Sequence, residues 1–223
     1  MFTKLAKSLF ALVLTALAFS PVYGEGDQFY AGGSLARIDY SEPSAPDFSL
    51  NVAVGRFGVR FTENFAAEIR GGIGLGDDTN ESTITNADFS EYAFFGIPLT
   101  TFGISGTGNA SGGGTLELDH FFGAYLRAGA PIGESFFPYA LLGYTRADIS
   151  ASVSLSVTPQ GGQTSAASVN VSGSDTDISF GLGADYKFND RFSLNAEWIN
   201  YVDKSDGELG ELSGFSVGAL FNF

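Results

Sequence analysis

The amino-acid sequence predicts an all-β fold, a transmembrane antiparallel up-and-down β-barrel of eight strands. Apolar and polar residues alternate with a period of two over several segments, which is the spacing of a strand and not of a helix. The turns between these segments are alternately short and long. Since backbone groups in lipid must all be hydrogen-bonded, strands that cross a membrane are expected to close into a barrel.

The first 24 residues have the features of a targeting signal. Lys4 and Lys7 precede a short apolar run, and Gly24 offers a small residue for cleavage. We therefore expect a signal peptide at 1–24 and one domain at 25–223; an uncleaved signal anchor is the alternative. Removing the two lysines from the 11 basic residues leaves nine against 25 acidic residues, which disfavours nucleic acid as a partner.

The first two strands are predicted at 28–40 and 48–61, and the facing of the first is ambiguous. In the second, an apolar series from Leu50 to Val54 alternates with small or polar residues, and Arg56 and Arg60 follow. The apolar series is predicted to face lipid, and an unbroken phase would place Arg56 and Arg60 in lipid as well. We therefore expect a bulge after Gly55, or the two arginines at the head-group level.

The third predicted strand, from Phe65, has an unambiguous register. Its apolar residues lie on one face and include Ile69 and Ile73, whereas Glu68 and Arg70 lie on the other. A shift of one residue would place both charges in lipid, so the register is strongly specified.

Segment 77–114 lacks steady alternation and is predicted to be a long surface loop of acidic, aromatic and glycine-rich parts. The alternative pairs 89–95 with 99–105 as two more strands, which would make a barrel of ten. Each would have about seven residues, against roughly nine to eleven needed to span a bilayer.

The remaining predicted strands are 115–130, 136–157, 164–188, 191–202 and 214–223. In the fifth, Tyr139 and Leu141 are expected to face outward. Residues 150–174 extend beyond what a bilayer requires and are predicted to project as a β-ribbon, and 203–211 forms an acidic loop. In the last strand the large apolar side chains share one face and are predicted to contact lipid; they are Phe215, Val217, Ala219, Phe221 and Phe223.

Charged residues on the polar faces of these strands are predicted to meet in the lumen. The ten residues are Glu68, Arg70, Glu117, Asp119, Arg127, Arg146, Asp148, Asp185, Lys187 and Glu197. The interior of an eight-stranded barrel is about filled by side chains, so an ion-pair network that closes the barrel is expected. A narrow, gated ion path is the alternative.

Several kinds of site are not expected. The chain has no Cys, which excludes disulfides and thiol chemistry. His120, the single histidine, is predicted to lie on the lipid-facing side near the surface end of its strand. Acidic loop residues could bind Ca²⁺, but no loop has a spaced Ca²⁺ motif, so no metal or cofactor is predicted.

The leading apolar segment, the two-residue alternation, the alternating turn lengths and the terminal Phe223 together resemble the small outer-membrane β-barrel family of Gram-negative bacteria, the porin-like and OmpA/OmpX-type eight-stranded barrels. The resemblance implies short periplasmic turns, long extracellular loops, a cell outer membrane location and a monomer. It implies membrane lipid, lipopolysaccharide and the outer-membrane assembly machinery as partners, the last recognising Phe221 and Phe223.

The resemblance also implies a non-enzymatic function. The barrel is expected to be a membrane anchor whose surface loops serve envelope integrity or surface interaction; a narrow porin-like channel for ions or small solutes is the alternative. Outer-membrane lipid A deacylases have a Ser two residues after a catalytic His, but Phe122 stands there in this chain. No peptidoglycan-binding domain follows Phe223, so tethering to the cell wall is not expected.

Overall fold

The computed structural model describes residues 28–41, 46–94, 97–202 and 210–223. The strands are β1 Phe29–Ser41, β2 Phe48–Arg60, β3 Phe65–Gly74, β4 Asp77–Asp88, β5 Ala93–Phe94, β6 Ile97–Pro98, β7 Thr107–Gly129, β8 Phe136–Pro159, β9 Ser165–Lys187, β10 Phe192–Val202 and β11 Glu211–Asn222. Two 3₁₀ turns span Phe89–Glu91 and Leu99–Phe102. Within these ranges no helix has the length and apolar character to cross a membrane. The predicted signal peptide and residues 203–209 of the predicted acidic loop lie outside the described residues.

Within the described ranges, nine antiparallel strands form one ring-like sheet. Neighbours follow the order β1, β2, β3, β7, β8, β9, β10, β11 and back to β1. At the closing pair, Phe29 and Phe223 exchange backbone hydrogen bonds of 3.2 and 2.9 Å. The predicted ring of eight strand positions is confirmed.

The ninth strand, β4, continues β3 along the same neighbour. β3 pairs with β7 up to His120, and β4 pairs with the more distant part, from Glu117 to Thr107. Between them Gly76 adopts a φ of +140°, a conformation that side-chain-bearing residues rarely adopt. β3 and β4 therefore occupy one position in the ring, bent at a glycine.

The prediction that 77–114 is a loop is wrong for most of its length. Twelve residues form β4 and pair with the start of β7, so the connection is confined to 89–106. The ten-strand alternative is also wrong, because β5 and β6 have two residues each and pair only with each other. The pattern of alternation is lost in this region since much of β4 is exposed on both faces.

The long hairpin predicted at 150–174 is confirmed, but it belongs to a wider sheet and is not a separate ribbon. β8 has 24 residues and β9 has 23, paired without a register shift from Phe136 to Val157. β10 accompanies β9 only as far as Phe180. Together with β4 and the start of β7, the ends of β8 and β9 form a four-stranded sheet beyond the barrel, which we call the extension.

The outer face of the barrel is apolar, as predicted for the third and the last predicted strands, and the same holds for β9 and β10. The exposed large side chains on these strands include Phe65, Ile69, Ile73, Ile178, Phe180, Leu182, Leu194, Trp198, Phe215, Val217, Phe221 and Phe223. A continuous apolar outer face is what a lipid environment requires of a barrel.

The interior of the barrel has two layers. We call the side with the short turns the lower side and the side with the extension the upper side. Charged residues occupy the lower layer, and the upper layer is a hydrophobic core. This core contains Ala36, Ile38, Tyr40, Phe48, Leu50, Val52, Val54, Leu116, Leu118, Phe121, Tyr125, Leu141, Ala147, Ile149, Ile199, Tyr201, Val202 and Leu212, and Tyr139 packs against it from the lower layer.

This hydrophobic layer corrects the facing of two predicted strands. In β2 the series from Leu50 to Val54 faces inward, and β2 pairs with both neighbours without the predicted bulge. In β8, Tyr139 and Leu141 also face inward. In a lumen that is polar throughout, these apolar residues would belong on the lipid face; the apolar upper layer places them inside instead.

A β-bulge corrects the upper half of β7. The register between β7 and β8 shifts between Leu118 and His120, so Asp119 is an additional residue. Above the shift Leu116 and Leu118 face inward, and below it Phe122 faces outward and is exposed. A single inserted residue reverses the facing of every residue beyond it.

Candidate functional site

The structure brings together five of the ten predicted lumen charges. Glu68, Arg70, Arg127, Asp185 and Glu197 are all buried in the lower layer, three of them only 2% exposed. The prediction is wrong for four others, because the bulge exposes Glu117 and Asp119, Arg146 lies on the outward face of β8, and Lys187 is exposed at the lower rim. Asp148 is half-buried beside Arg146 and likewise lies outside the cluster.

Glu197 lies at the centre of this cluster. Arg56 donates to both of its carboxylate oxygens, at 2.8 and 2.8 Å. Arg70 also donates to both, at 2.8 and 2.9 Å. The hydroxyl of Tyr139 donates a further hydrogen bond of 2.6 Å. Two paired Arg–carboxylate contacts on one carboxylate give strong and directional bonding.

Glu68 and Asp185 hold the other side of the cluster. Glu68 accepts from Arg70 Nε at 2.7 Å and from the Tyr30 hydroxyl at 2.6 Å. Asp185 accepts from Arg127 and, at 2.9 Å, from the Asn195 amide. The Arg127 guanidinium also lies 3.6 Å from the centre of the Tyr139 ring, a cation–π contact. The three guanidinium groups therefore meet three carboxylates, and the buried charge is balanced.

Four members of the cluster were not predicted as site residues: Arg56, Tyr30, Tyr139 and Asn195. A signal for Arg56 was present, because it continues the phase of Leu50, Val52 and Val54 without interruption. An arginine is costly at the lipid face, so the whole series should have been assigned to the interior. The sequence carries no comparable signal for the two tyrosines.

Below the cluster a cavity of about 260 Å³ opens between the short turns. Its lining includes Arg60, Asn64 and Lys187, and its inner wall is formed by Arg127 and Asp185. Above the cluster lies the hydrophobic core described above. A path through the barrel from below would meet first the ion pairs and then an apolar layer.

The chain matches the family model described as the outer membrane protein beta-barrel domain over residues 8–223. The chain belongs to this family.

Solved structures of small barrels align with the chain at low identity. Ail, the attachment invasion locus protein of Yersinia pestis, has a TM-score of 0.49 and 13% identity, with 89% of this chain and 100% of that chain covered. Neisserial surface protein A gives 0.49 and 13%, covering 90% and 100%. The N-terminal barrel domain of OprF from Pseudomonas aeruginosa gives 0.43 and 12%, covering 89% and 100%. No curated protein matches the sequence.

Membership of the outer membrane protein beta-barrel family assigns the apolar outer face to the lipid of the outer membrane. Short turns of such barrels lie in the periplasm and longer segments lie outside the cell. The extension is then extracellular, and the cavity below the charge cluster faces the periplasm.

The terminal aromatic residues form a cluster at the lower edge of this face. Phe223 lies against Phe29 and Phe57, with ring centres 6.3 Å apart in each pair, and Phe221 lies 5.1 Å from Phe192. Both terminal phenylalanines are exposed on the outside of the barrel. Their predicted role as an assembly signal stays a prediction.

His120 lies where the sequence predicted. It is exposed on the outer face of β7, beside Ile73 at the upper end of β3. Its Nε2 is 3.5 Å from Asp148, which also accepts from Arg146 at 3.1 Å. The nearby Ser150 hydroxyl is turned to Asp119, at 2.8 Å. Among residues 28–41, 46–94, 97–202 and 210–223 no group of three His, Asp or Glu side chains could hold a metal ion.

Proposed function

We propose that this outer-membrane barrel is a closed, non-enzymatic anchor that presents the extension at the cell surface. One observation carries the proposal: the lumen is blocked by two consecutive layers of different chemistry, the balanced ion-pair cluster and the hydrophobic core. A channel would require a continuous polar path. The upper layer is apolar along β2, and the hydroxyls of Tyr125, Thr145 and Ser179 on the opposite side are buried and hydrogen-bonded to one another.

Opening the lower layer alone would be energetically demanding. Separating Glu197 from its arginines would leave buried charges unpaired, and breaking a buried pair costs about 3–5 kcal/mol. The upper layer is closed by packing, so its opening would expose apolar side chains to water. The narrow channel is therefore the less favoured function.

Lipid, lipopolysaccharide and the assembly machinery are the partners that fit this function. The apolar outer face suits lipid, and the polar residues above it, such as Arg146, suit lipopolysaccharide head groups. The exposed Phe223 at the lower edge suits recognition during assembly. Within one membrane we propose a monomer, since the strand ring is already closed.

Ion flux in planar bilayers tests the proposal. The refolded protein, verified by the mobility shift between unheated and boiled samples, is expected to give no discrete conductance steps. Arg70→Ala would be compared with Arg146→Ala, which removes an exposed charge outside the lumen. Discrete steps whose ion selectivity changes in Arg70→Ala but not in Arg146→Ala would overturn the proposal in favour of a channel.

A further inference from the structure

The extension has two edges, β4 on one side and the upper part of β9 on the other. The β4 edge carries four acidic residues, whereas the β9 edge is uncharged over 165–174. β10 leaves β9 at Phe180, and from there to Ser165 the only described neighbour of β9 is β8. Edge strands usually carry charges, prolines or bulges that prevent pairing with other chains. Between Ser165 and Ser174 there is no charged residue, no proline and no register shift.

The register of β9 shows which backbone groups point away from β8. Lys187 donates its N–H to the carbonyl of Ser135, just before β8, at 2.7 Å. Since the register is continuous, odd-numbered residues of β9 bond toward β8 and even-numbered residues point to the other side. Thr176 and Ile178 agree, because each N–H bonds at 2.7 Å to the carboxylate of the preceding aspartate.

Those two aspartates limit the β9 edge from below. Because Thr176 and Ile178 already have acceptors, an added strand could not use their N–H groups. The edge available for pairing therefore consists of five even-numbered residues: Ala166, Ser168, Asn170, Ser172 and Ser174.

The sequence of this edge is nearly the same in both directions. From Ala166 it reads AASVNVSGS, with Asn170 at the centre. Val169 mirrors Val171, Ser168 mirrors Ser172, and the small Ala167 mirrors Gly173. Two copies paired antiparallel about Asn170 would place like residues opposite each other. Such a sequence complements itself.

Backbone and side chains both suit this pairing. The five opposed pairs would be even-numbered residues throughout, and a hydrogen-bonded ladder of that length supplies about ten bonds. On one face, Val169 and Val171, each 60% exposed in the single chain, would form a four-valine cluster with their counterparts. Residues 149–174 carry no charge, although the chain has a net charge of −14, so the two edges would not repel each other.

We propose that the β9 edge pairs antiparallel with the same edge of a second copy of this chain, centred on Asn170. The proposal rests on the proposed function only in requiring that the extension is displayed outside the cell. It names the surface and the partner that the anchor presents.

The antiparallel direction determines where the second copy is located. Two copies in one membrane related by a twofold axis along the membrane normal keep their strands pointing the same way, and strands tilted by about 35–45° would cross at roughly 70–90°. Copies in two facing membranes have opposite directions and can align. The pairing therefore links two cells or two vesicles.

Single cysteines test the register directly, since the chain has none of its own. In the proposed pair the two Cα atoms of residue 170 are about 5.5 Å apart, within the range for a disulfide. Ala166→Cys is the matched control on the same edge. Its two copies would be separated by eight residues, about 27 Å.

Two populations of proteoliposomes carrying the refolded protein would be mixed under mild oxidation. We expect Asn170→Cys to form dimers at least tenfold faster than Ala166→Cys, and Ala166→Cys to cross-link with Ser174→Cys when the two are mixed. Equal rates for the two single variants, or no dimer from any of them in barrels verified by the mobility shift, would overturn the proposal. Conductance is measured separately, so failure of the closed-anchor function is distinguishable.

A proline variant gives a second readout. Asn170→Pro removes an N–H that points away from β8 and leaves the bonds between β8 and β9 in place. Vesicle clustering, followed by light scattering, should be lost in this variant and kept in Thr164→Pro, just before β9 begins. Clustering that Asn170→Pro leaves unchanged would contradict edge pairing.

Discussion

Replacing Glu197 by Gln should destabilise the barrel more than any change of a surface carboxylate. Glu197 accepts five hydrogen bonds, four from Arg56 and Arg70 and one from Tyr139. Among the described residues it is the only carboxylate that pairs with Arg56, which is itself 5% exposed. The variant would leave a buried guanidinium without a counter-charge, at a cost of about 3–5 kcal/mol in the free energy of unfolding.

Urea unfolding of the protein in lipid vesicles measures this difference. Trp198, the single tryptophan, follows Glu197 in the chain and points outward to lipid, so its fluorescence reports the loss of the barrel. Glu117→Gln is the matched control, since Glu117 is exposed on the extension, and its effect should lie within about 0.5 kcal/mol. An effect of Glu197→Gln below about 1 kcal/mol would refute the reasoning that this carboxylate neutralises Arg56.

Three glycine substitutions test the packing of the interior and the bend between β3 and β4. At Gly72 a Cβ would lie 2.2 Å from the Phe121 ring, whereas at the neighbouring Gly71 it would meet nothing closer than 3.8 Å. Gly72→Ala should therefore cost about 1–3 kcal/mol in unfolding free energy and Gly71→Ala much less; equal effects would contradict the interior assignment. At Gly76 no atom lies within 4 Å of a Cβ, so Gly76→Ala should destabilise through backbone strain alone, by about 1–3 kcal/mol. A normal mobility shift with unchanged urea unfolding in Gly76→Ala would count against strain at this bend.

The strands that the sequence predicted correctly are those whose outward face meets lipid while their inward face is polar or small. In β3, Glu68 and Arg70 allow one register only, and β11 has the same contrast between Phe215 and Ser216. Lipid favours large apolar side chains, and the polar lower lumen favours polar or small ones. The two faces of such a strand can therefore be told apart from the sequence.

The errors lie where that contrast is absent. In the upper layer both faces of a strand are apolar or small. Alternation alone therefore does not show whether Leu141 of β8 points to lipid or to the interior. The bulge at Asp119 is defined by pairing with β8 and leaves no mark in the sequence of β7. Above the membrane, water reaches both faces of β4, so its sequence shows no steady alternation. Only its pairing with β7 identifies it as a strand.

The charge cluster was half predictable for a related reason. Charged residues on regular strands, such as Glu197, must be kept from lipid and could be assigned inward from the sequence. Their partners come from strands distant in the chain: Arg56 and Glu197 are 141 residues apart. Which charges meet depends on the order of strands around the ring and on their register, which a single sequence does not contain.

If two layers close the lumen independently, a barrel that has lost one of them should remain closed. The double variant Arg56→Met, Glu197→Met removes the centre of the ion-pair cluster and leaves the hydrophobic layer intact. Refolded and verified by its mobility shift, it should remain silent in planar bilayers over the voltages at which the membrane itself is stable. Discrete conductance steps from this variant would show that the ion pairs alone close the barrel, and that the apolar layer above them admits ions.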